Sequence, residues 1–153
     1  MLPLNSCFFI GHREADERLL PLLKEILEKL IVHEQVSHFY VGGYGGFDRM
    51  VTSALRSAKQ QHPEITLMLI IPYHPAESPR ETPRGFDGTC YPDGLEKVPR
   101  KYAIVKANEI MAKNSDWLVA YVRHGASNSH RILNIAQKQG TRCINLSEIL
   151  EGE

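Results

Sequence analysis

The run Val41-Gly42-Gly43-Tyr44-Gly45-Gly46-Phe47-Asp48-Arg49 gathers four of the eleven glycines of a 153-residue chain into five positions. It joins an apolar stretch ending in Phe39-Tyr40-Val41 to a helical pattern that begins at Phe47. A glycine-dense joint of this kind lets the backbone approach a ligand closely. It also turns N–H groups, and the positive end of the helix dipole, toward an anion. The plain alternative is a tight turn, which needs one or two glycines rather than four.

Strands and helices must alternate around this joint. Cys7 to Ile10 reads as a short buried strand. Leu19, Leu22, Leu23, Ile26, Leu27, Leu30 and Ile31 then trace one face of a helix. Pro21 belongs in that helix's first turn, which places the start close to Arg18. His38 to Val41 is a second strand, and Phe47, Met50, Val51, Ala54, Leu55 and Ala58 mark a second helix. Ile65 to Ile71, apolar on both faces except at Thr66, is a third strand of the kind a helix-covered parallel sheet requires. From residue 72 to 99 the periodicity fails: six of the nine prolines lie here, and a stretch this long without pattern is uncommon inside a compact domain. A helix over Tyr102 to Met111, ending near Asn114, restores it. A strand follows over Trp117 to Val122, then a helix around Ile132, Leu133, Ile135 and Ala136 stopped by Gly140, and a strand over Cys143 to Leu146. The expectation is one three-layer α/β domain over residues 1–153, with a mostly parallel sheet of five or slightly more strands and right-handed crossovers.

In such sheets ligands bind beyond the carboxyl ends of the strands, where strand order reverses. Gly11-His12-Arg13 follows the first strand, the Gly42 to Gly46 loop the second, and Pro72-Tyr73-His74 the third. Arg123-His124-Gly125-Ala126-Ser127-Asn128-Ser129 follows the fourth and opens the last helix. Arginine offers a planar fork of donors suited to phosphate, and Ser or Asn at a helix start adds short polar groups. Taken singly, Asn128 or Ser129 reads equally well as a helix cap and His12 as turn filler. Taken together they point to a nucleotide-sized anionic ligand.

Composition excludes several classes. Lys and Arg number 18, as do Asp and Glu, so there is no global charge for nucleic acid or an anionic membrane. Three cysteines without CxxC spacing read as reduced thiols of a cytoplasmic protein. No apolar run is long enough to span a bilayer, and no secretory leader pattern opens the chain. The glycine loop is not a dinucleotide fingerprint, because Asp48 stands where the third glycine belongs. GxxxxGK[ST], HExxH and GxSxG are all absent. A zinc site could draw only on scattered ligands, His12, His74, Cys90 and His124. The sequence therefore calls for no metal and no cofactor.

Three segments carry a family resemblance. Cys7-Phe8-Phe9-Ile10-Gly11-His12-Arg13 resembles the strand and GHR opening of small bacterial proteins of the SLOG superfamily, which joins DNA-processing protein A with the Lonely Guy proteins. Phe39-Tyr40-Val41-Gly42-Gly43 followed by Gly46-Phe47-Asp48 is similar to that superfamily's glycine-rich loop with its Gly-x-Asp/Glu element. Val105 to Met111 leading into Asn114 to Val122 is the third. Gly85 to Pro92 also looks familiar for the subgroup, with no role attached. The resemblance implies a Rossmann-like fold that binds a nucleotide or nucleotide-derived ligand, and a homodimer paired through helices beside the site. The leading expectation is that phosphate is held by the Gly42, Gly43, Tyr44, Gly45 and Gly46 loop and by the Gly125, Ser127, Asn128 and Ser129 helix start, with Arg13 and Arg123 as counter-charges. Gly11, His12, Arg13 and Arg123 stand beside them, and Asp48 meets a ribose hydroxyl or, on the plain reading, complements its helix turn.

Enzymatic Lonely Guy proteins cleave the N-glycosidic bond of nucleoside 5′-monophosphates through a PGGxGTxxE motif. Here Val41 replaces the proline, Gly46 the threonine and Arg49 the glutamate. A guanidinium has the wrong charge to stabilise an oxocarbenium-like sugar, and Asp48 is turned from Arg49 by about 100°. A binding or sensing module is therefore expected first. An N-glycosidase using Asp48 or Glu109 is second, and a single-strand nucleic-acid accessory protein, disfavoured by near-neutral charge, is third.

Overall fold

Cys7, Phe8, Phe9 and Ile10 are all apolar because the first strand, β1 (Ser6–Gly11), runs through the middle of the sheet and is buried on both faces. In this computed structural model, which describes residues 2–123 and 127–151, α1 (Leu19–Val32), β2 (His38–Val41), α2 (Gly46–Gln61) and β3 (Thr66–Ile70) follow. Next come β4 (Gly88–Cys90), a 3-10 turn (Arg100–Tyr102), α3 (Ala103–Asn114), β5 (Trp117–Tyr121), α4 (Asn128–Lys138), β6 (Arg142–Asn145) and α5 (Leu146–Glu151). The strands form one sheet in the order β4-β3-β2-β1-β5-β6, and every pairing is parallel. The chain thus starts in the centre, works outward to β4, and returns to lay β5 on the other side of β1. Strand order reverses between β1 and β5, so a crevice is expected at their carboxyl ends.

Successive side chains of a strand face opposite ways, and β1 supplies both cores. Phe9 meets α1, α2 and α5 through Leu23, Leu27, Phe47 and Leu146, with Phe39 and Val41 beside it. Phe8 and Ile10 meet α3 and α4 through Ala107, Met111, Ile132 and Leu133. Each such fully buried Leu, Ile or Phe contributes about 1.5–3 kcal/mol relative to exposure. The N–H groups of Asn5 and Ser6 both donate to the Asp116 carboxylate, which ties the start of β1 to the start of β5. Among the described residues no helix is long and apolar enough to cross a membrane.

The sheet fits the expected five or slightly more strands, but two elements had not been located in the sequence, one of them inside the irregular 72–99 stretch. Gly88-Thr89-Cys90 is a sixth strand, pairing with Met68, Leu69 and Ile70. Its three residues are too few to show a period, and a neighbouring aspartate holds it. The Leu67 N–H donates to the Asp87 carboxylate at 2.8 Å and the Asp87 N–H to the Leu67 carbonyl at 2.9 Å. Phe86 is buried in the core beside them. The Gly85 to Pro92 tract is therefore the piece that pins the proline-rich segment to the sheet. The other addition is α5, which starts at Leu146, where the last strand was expected to end.

The carboxyl end of β1 and the start of α2 are in close contact. A Cβ on Gly11 would lie 2.4 Å from the Phe47 ring, and one on Gly46 would lie 2.4 Å from the Arg13 carbonyl oxygen. Gly46→Ala and Gly11→Ala are each expected to destabilise the protein by about 1–3 kcal/mol through overpacking. Urea unfolding checks this; an unchanged midpoint for both would mean the contact is loose.

Candidate functional site

Three loops meet at the carboxyl edge. The Gly46 N–H donates to the Arg13 carbonyl at 2.6 Å and the Phe47 N–H to the His12 carbonyl at 3.4 Å. The first donors of α2 are thus spent inside the protein, on the loop that follows β1. Gly45 adopts φ 109° as the residue before the helix, a conformation that favours glycine. Two of the four loop glycines, Gly45 and Gly46, therefore answer to packing and backbone conformation. The Tyr44 N–H donates to the Asp48 carboxylate at 3.0 Å. The N–H groups of Gly43 and Gly45 have no acceptor among the described residues, so these loop donors are left unpaired.

Asp48 lines a cleft with Gly11, Gly42, Tyr44, Asn108 and Ser129. Burial raises its carboxyl to about 6, partly offset by the Tyr44 N–H and the Arg49 charge. A carboxylate poised near neutrality beside a cleft is a common feature of functional sites. The cleft proper is only 60 Å³, about two waters at liquid density. A phosphate or the hydroxyl edge of a sugar could enter it, and the rest of a nucleotide would lie along the open edge.

Around this cleft the remaining sequence-expected residues fall as follows. His12 accepts the Arg123 N–H on Nε2 at 2.9 Å and meets the Tyr121 ring edge-on, so it links the loops after β1 and β5. The Ser129 hydroxyl donates to the Gly11 carbonyl at 3.3 Å. The cap of α4 is Ser127, whose Oγ accepts the His130 N–H at 3.1 Å, rather than Asn128 or Ser129. Asn128 is exposed on the first turn, and Gly125 and His124 lie outside the described residues. Arg13 and Arg123 are exposed at the edge.

Glu109 stands apart from the cleft. Its carboxylate is paired with Lys106, Lys113 and Arg131 at 3.8, 3.1 and 3.4 Å. Partial burial raises its pKa, but the Lys113 hydrogen bond and the three positive charges bring it below the usual range. A carboxylate so committed is poorly placed to serve as base or nucleophile. Its neighbour Asn108, about 100° around the helix, lines the cleft instead. Arg49, where the Lonely Guy motif has glutamate, is exposed and does not line the cleft.

Sequence reasoning missed Arg80 altogether. The 72–99 segment folds back over the glycine loop, placing the Arg80 guanidinium 5.8 Å from the Tyr44 ring centre and against Gly43. The same pairing recurs twice along the edge: Arg100 lies 3.9 Å from the Tyr73 ring centre and Arg123 5.7 Å from that of Tyr121. Among the described residues, none of Arg13, Arg80, Arg100 and Arg123 has a carboxylate within ion-pair distance. Nor does any group of three or more His, Cys, Asp or Glu among them offer a metal site.

The parallel six-stranded sheet with helices on both faces and a crevice at the strand-order reversal defines a Rossmann-like α/β protein. No family model and no curated protein matches the chain. Among solved structures it is similar to DNA processing protein A from Helicobacter pylori, with a TM-score of 0.60 and 18% identity. The match covers 92% of this chain and 64% of that one. That protein binds single-stranded DNA; at this identity the likeness is one of fold.

The Asp48 environment has a measurable consequence. A carboxyl with a higher pKa folded than unfolded holds its proton more tightly in the native state, so its deprotonation lowers stability as pH rises from 3.8 through about 6. Asp48→Asn removes that falling limb, so the variant gains on the wild type across this window and holds the gain above it. Unfolding midpoints of both proteins as a function of pH check this; parallel curves would mean that Asp48 is ordinarily solvated.

Proposed function

We propose that this protein binds a nucleotide or nucleotide-derived ligand across the carboxyl edge of its sheet, as a binding or sensing module. The observation that carries the reading is the Asp48 carboxylate lining a small cleft beside two uncommitted backbone donors and four arginines without carboxylate partners. In this reading Asp48 accepts a hydrogen bond from a ribose hydroxyl. The phosphate lies on the Gly43 and Gly45 N–H groups and the first turn of α4, with Arg80, Arg13 and Arg123 supplying positive charge. Membership of the SLOG superfamily, rooted in the GHR and glycine-loop segments, belongs to the same proposal. So do a cytoplasmic location and a homodimer; native mass spectrometry tests the homodimer together with any co-purified nucleotide.

Two other readings have an observation behind them. The raised pKa of Asp48 suits a general acid or base, which favours N-glycosidic cleavage of nucleoside monophosphates. The Arg80–Tyr44 and Arg100–Tyr73 pairs offer the cation-and-ring surface on which single strands stack, and the Helicobacter pylori protein binds single-stranded DNA.

Titration calorimetry with nucleoside 5′-monophosphates and ribose 5-phosphate tests the leading reading. Binding that weakens about tenfold or more in Arg80→Ala, equivalent to about 1.4 kcal/mol, is the expected result. Absence of binding at millimolar ligand would overturn it. Release of free base that is lost in Asp48→Asn would establish the enzyme instead. Oligonucleotide binding that falls steeply with salt and is not displaced by mononucleotides would favour the single-strand reading.

A further inference from the structure

The Asp48 cleft is too small for a whole nucleotide, and a larger hollow lies next to it. At the carboxyl ends of β3 and β4 the 72–99 segment and the start of α3 enclose 390 Å³, within the range of small-molecule sites. Its walls carry Tyr73, His74, Glu77, Tyr91, Glu96 and Arg100. Pro72 lines both this pocket and the cleft, and a shallow depression along Tyr44, Tyr73 and Arg80 also joins them. Asp48 stands beyond β2 and the pocket beyond β3 and β4, so the two are separated along the sheet edge by about 5–10 Å. That is the reach from a sugar to its attached base.

The walls are held by the backbone. The His74 carbonyl accepts the N–H groups of Glu77 and Ser78, both at 2.9 Å. His74 Nδ1 accepts the Ala76 N–H at 3.0 Å, so the neutral ring carries its proton on Nε2. His74 also packs edge-on against Tyr91, with ring centres 5.4 Å apart. On the opposite side the Arg100 guanidinium lies over Tyr73, giving a flat stack of ring and cation suited to an aromatic ligand. Two carboxylates against one guanidinium make the pocket unfavourable for phosphate and favourable for groups that donate hydrogen bonds. Charge thus sorts the two ends of a ligand, with the anion toward Arg80 and the donors toward Glu77 and Glu96.

We infer that the pocket of Tyr73, Tyr91, Arg100, Glu77 and Glu96 is a base subsite for the ligand whose sugar meets Asp48, selective for a base with an exocyclic amino group. The ring stacks on the Tyr73–Arg100 pair, and the amino group donates to the Glu77 or Glu96 carboxylate. An oxo group at the same position presents a lone pair to the carboxylate, so an oxo base can meet it only through the adjacent ring N–H, in a shifted pose away from the stack. The inference rests on the nucleotide-binding reading above for the placement of the sugar, but the pocket can be tested apart from it.

Calorimetric titration of adenosine against inosine 5′-monophosphate, and of cytidine against uridine 5′-monophosphate, exchanges the exocyclic donor for an acceptor, and the adjacent ring acceptor for a donor, at constant ring size. Ribose 5-phosphate reports the cleft alone, and the free nucleosides report the pocket without phosphate. The amino-bearing member of each pair is expected to bind at least tenfold tighter. Tyr73→Ala should reduce it to the affinity of ribose 5-phosphate, whose own affinity stays unchanged. Glu77→Gln and Glu96→Gln, at exposed positions where folding is not at risk, should bring the amino-to-oxo ratio toward one. Equal affinities for all monophosphates and ribose 5-phosphate would overturn the subsite while leaving the cleft intact. Nucleosides that bind in a Tyr73-dependent way, with no affinity for ribose 5-phosphate, would support the subsite and overturn the phosphate cradle. No binding by any of these ligands would overturn both.

Discussion

Two backbone hydrogen bonds organise the edge of this protein: Gly46 N–H to the Arg13 carbonyl, and Phe47 N–H to the His12 carbonyl. They clamp the loop after β1 onto the helix after β2. The clamp is possible because Gly11 and Gly46 lack side chains where the two segments cross, and because Phe47 fills the space over Gly11. Once it forms, Asp48 is carried to the cleft and Arg49 away from it, since the two are neighbours on a helix whose start is now fixed. His12 and Ser129 extend the same joint to β5 and α4 through the Arg123 N–H and the Gly11 carbonyl. The site is thus a seam between loops, closed first by backbone and only then furnished with side chains.

A glycine-rich loop at a helix start is commonly read as a phosphate cradle. In this protein the Gly46 and Phe47 donors are already satisfied from within, and the unpaired donors lie at Gly43 and Gly45. On the proposed reading, positive charge then comes from side chains that arrive over the loop. Three arginines reach the edge with a tyrosine ring near each, a contact that leaves their charge uncancelled. An aspartate partner would have cancelled it.

Much of the scaffold was legible from periodicity. The centre of the sheet is apolar on both faces, and α1 and α2 repeat their apolar residues at helical spacing, so their existence and order were plain. The short strand β4 was not, because three residues beginning in glycine carry no period and its pairing depends on Asp87, whose role is visible only in space. The site divides in the same way. Asp48, the glycine loop, Gly11 and Ser129 could be found because each directly follows a strand or opens a helix. Arg80 could not, because it reaches the loop from a segment with no pattern of its own. Glu109 and Asn108 show the remaining limit: one position along α3 separates a carboxylate absorbed by three cations from an amide that lines the cleft, and composition cannot tell which way a helix is turned.

The Asp116 carboxylate, bound to the N–H groups of Asn5 and Ser6, couples positions 111 and 110 apart in sequence. The central strand can pair early with β2, which is close in the chain, but its other flank stays open until β5 arrives. Such long-range pairing is slow, because the intervening chain must be closed before any contact rewards it. For that interval the Phe8-Phe9-Ile10 strand exposes an unpaired apolar edge, the kind of surface on which partly folded chains associate. A carboxylate that captures two backbone donors at the mouth of that pairing acts as a register pin, starting the zipper at one defined step. The two bonds it makes sit where β1 begins its pairing with β5, one step before the Cys7–Trp117 pair.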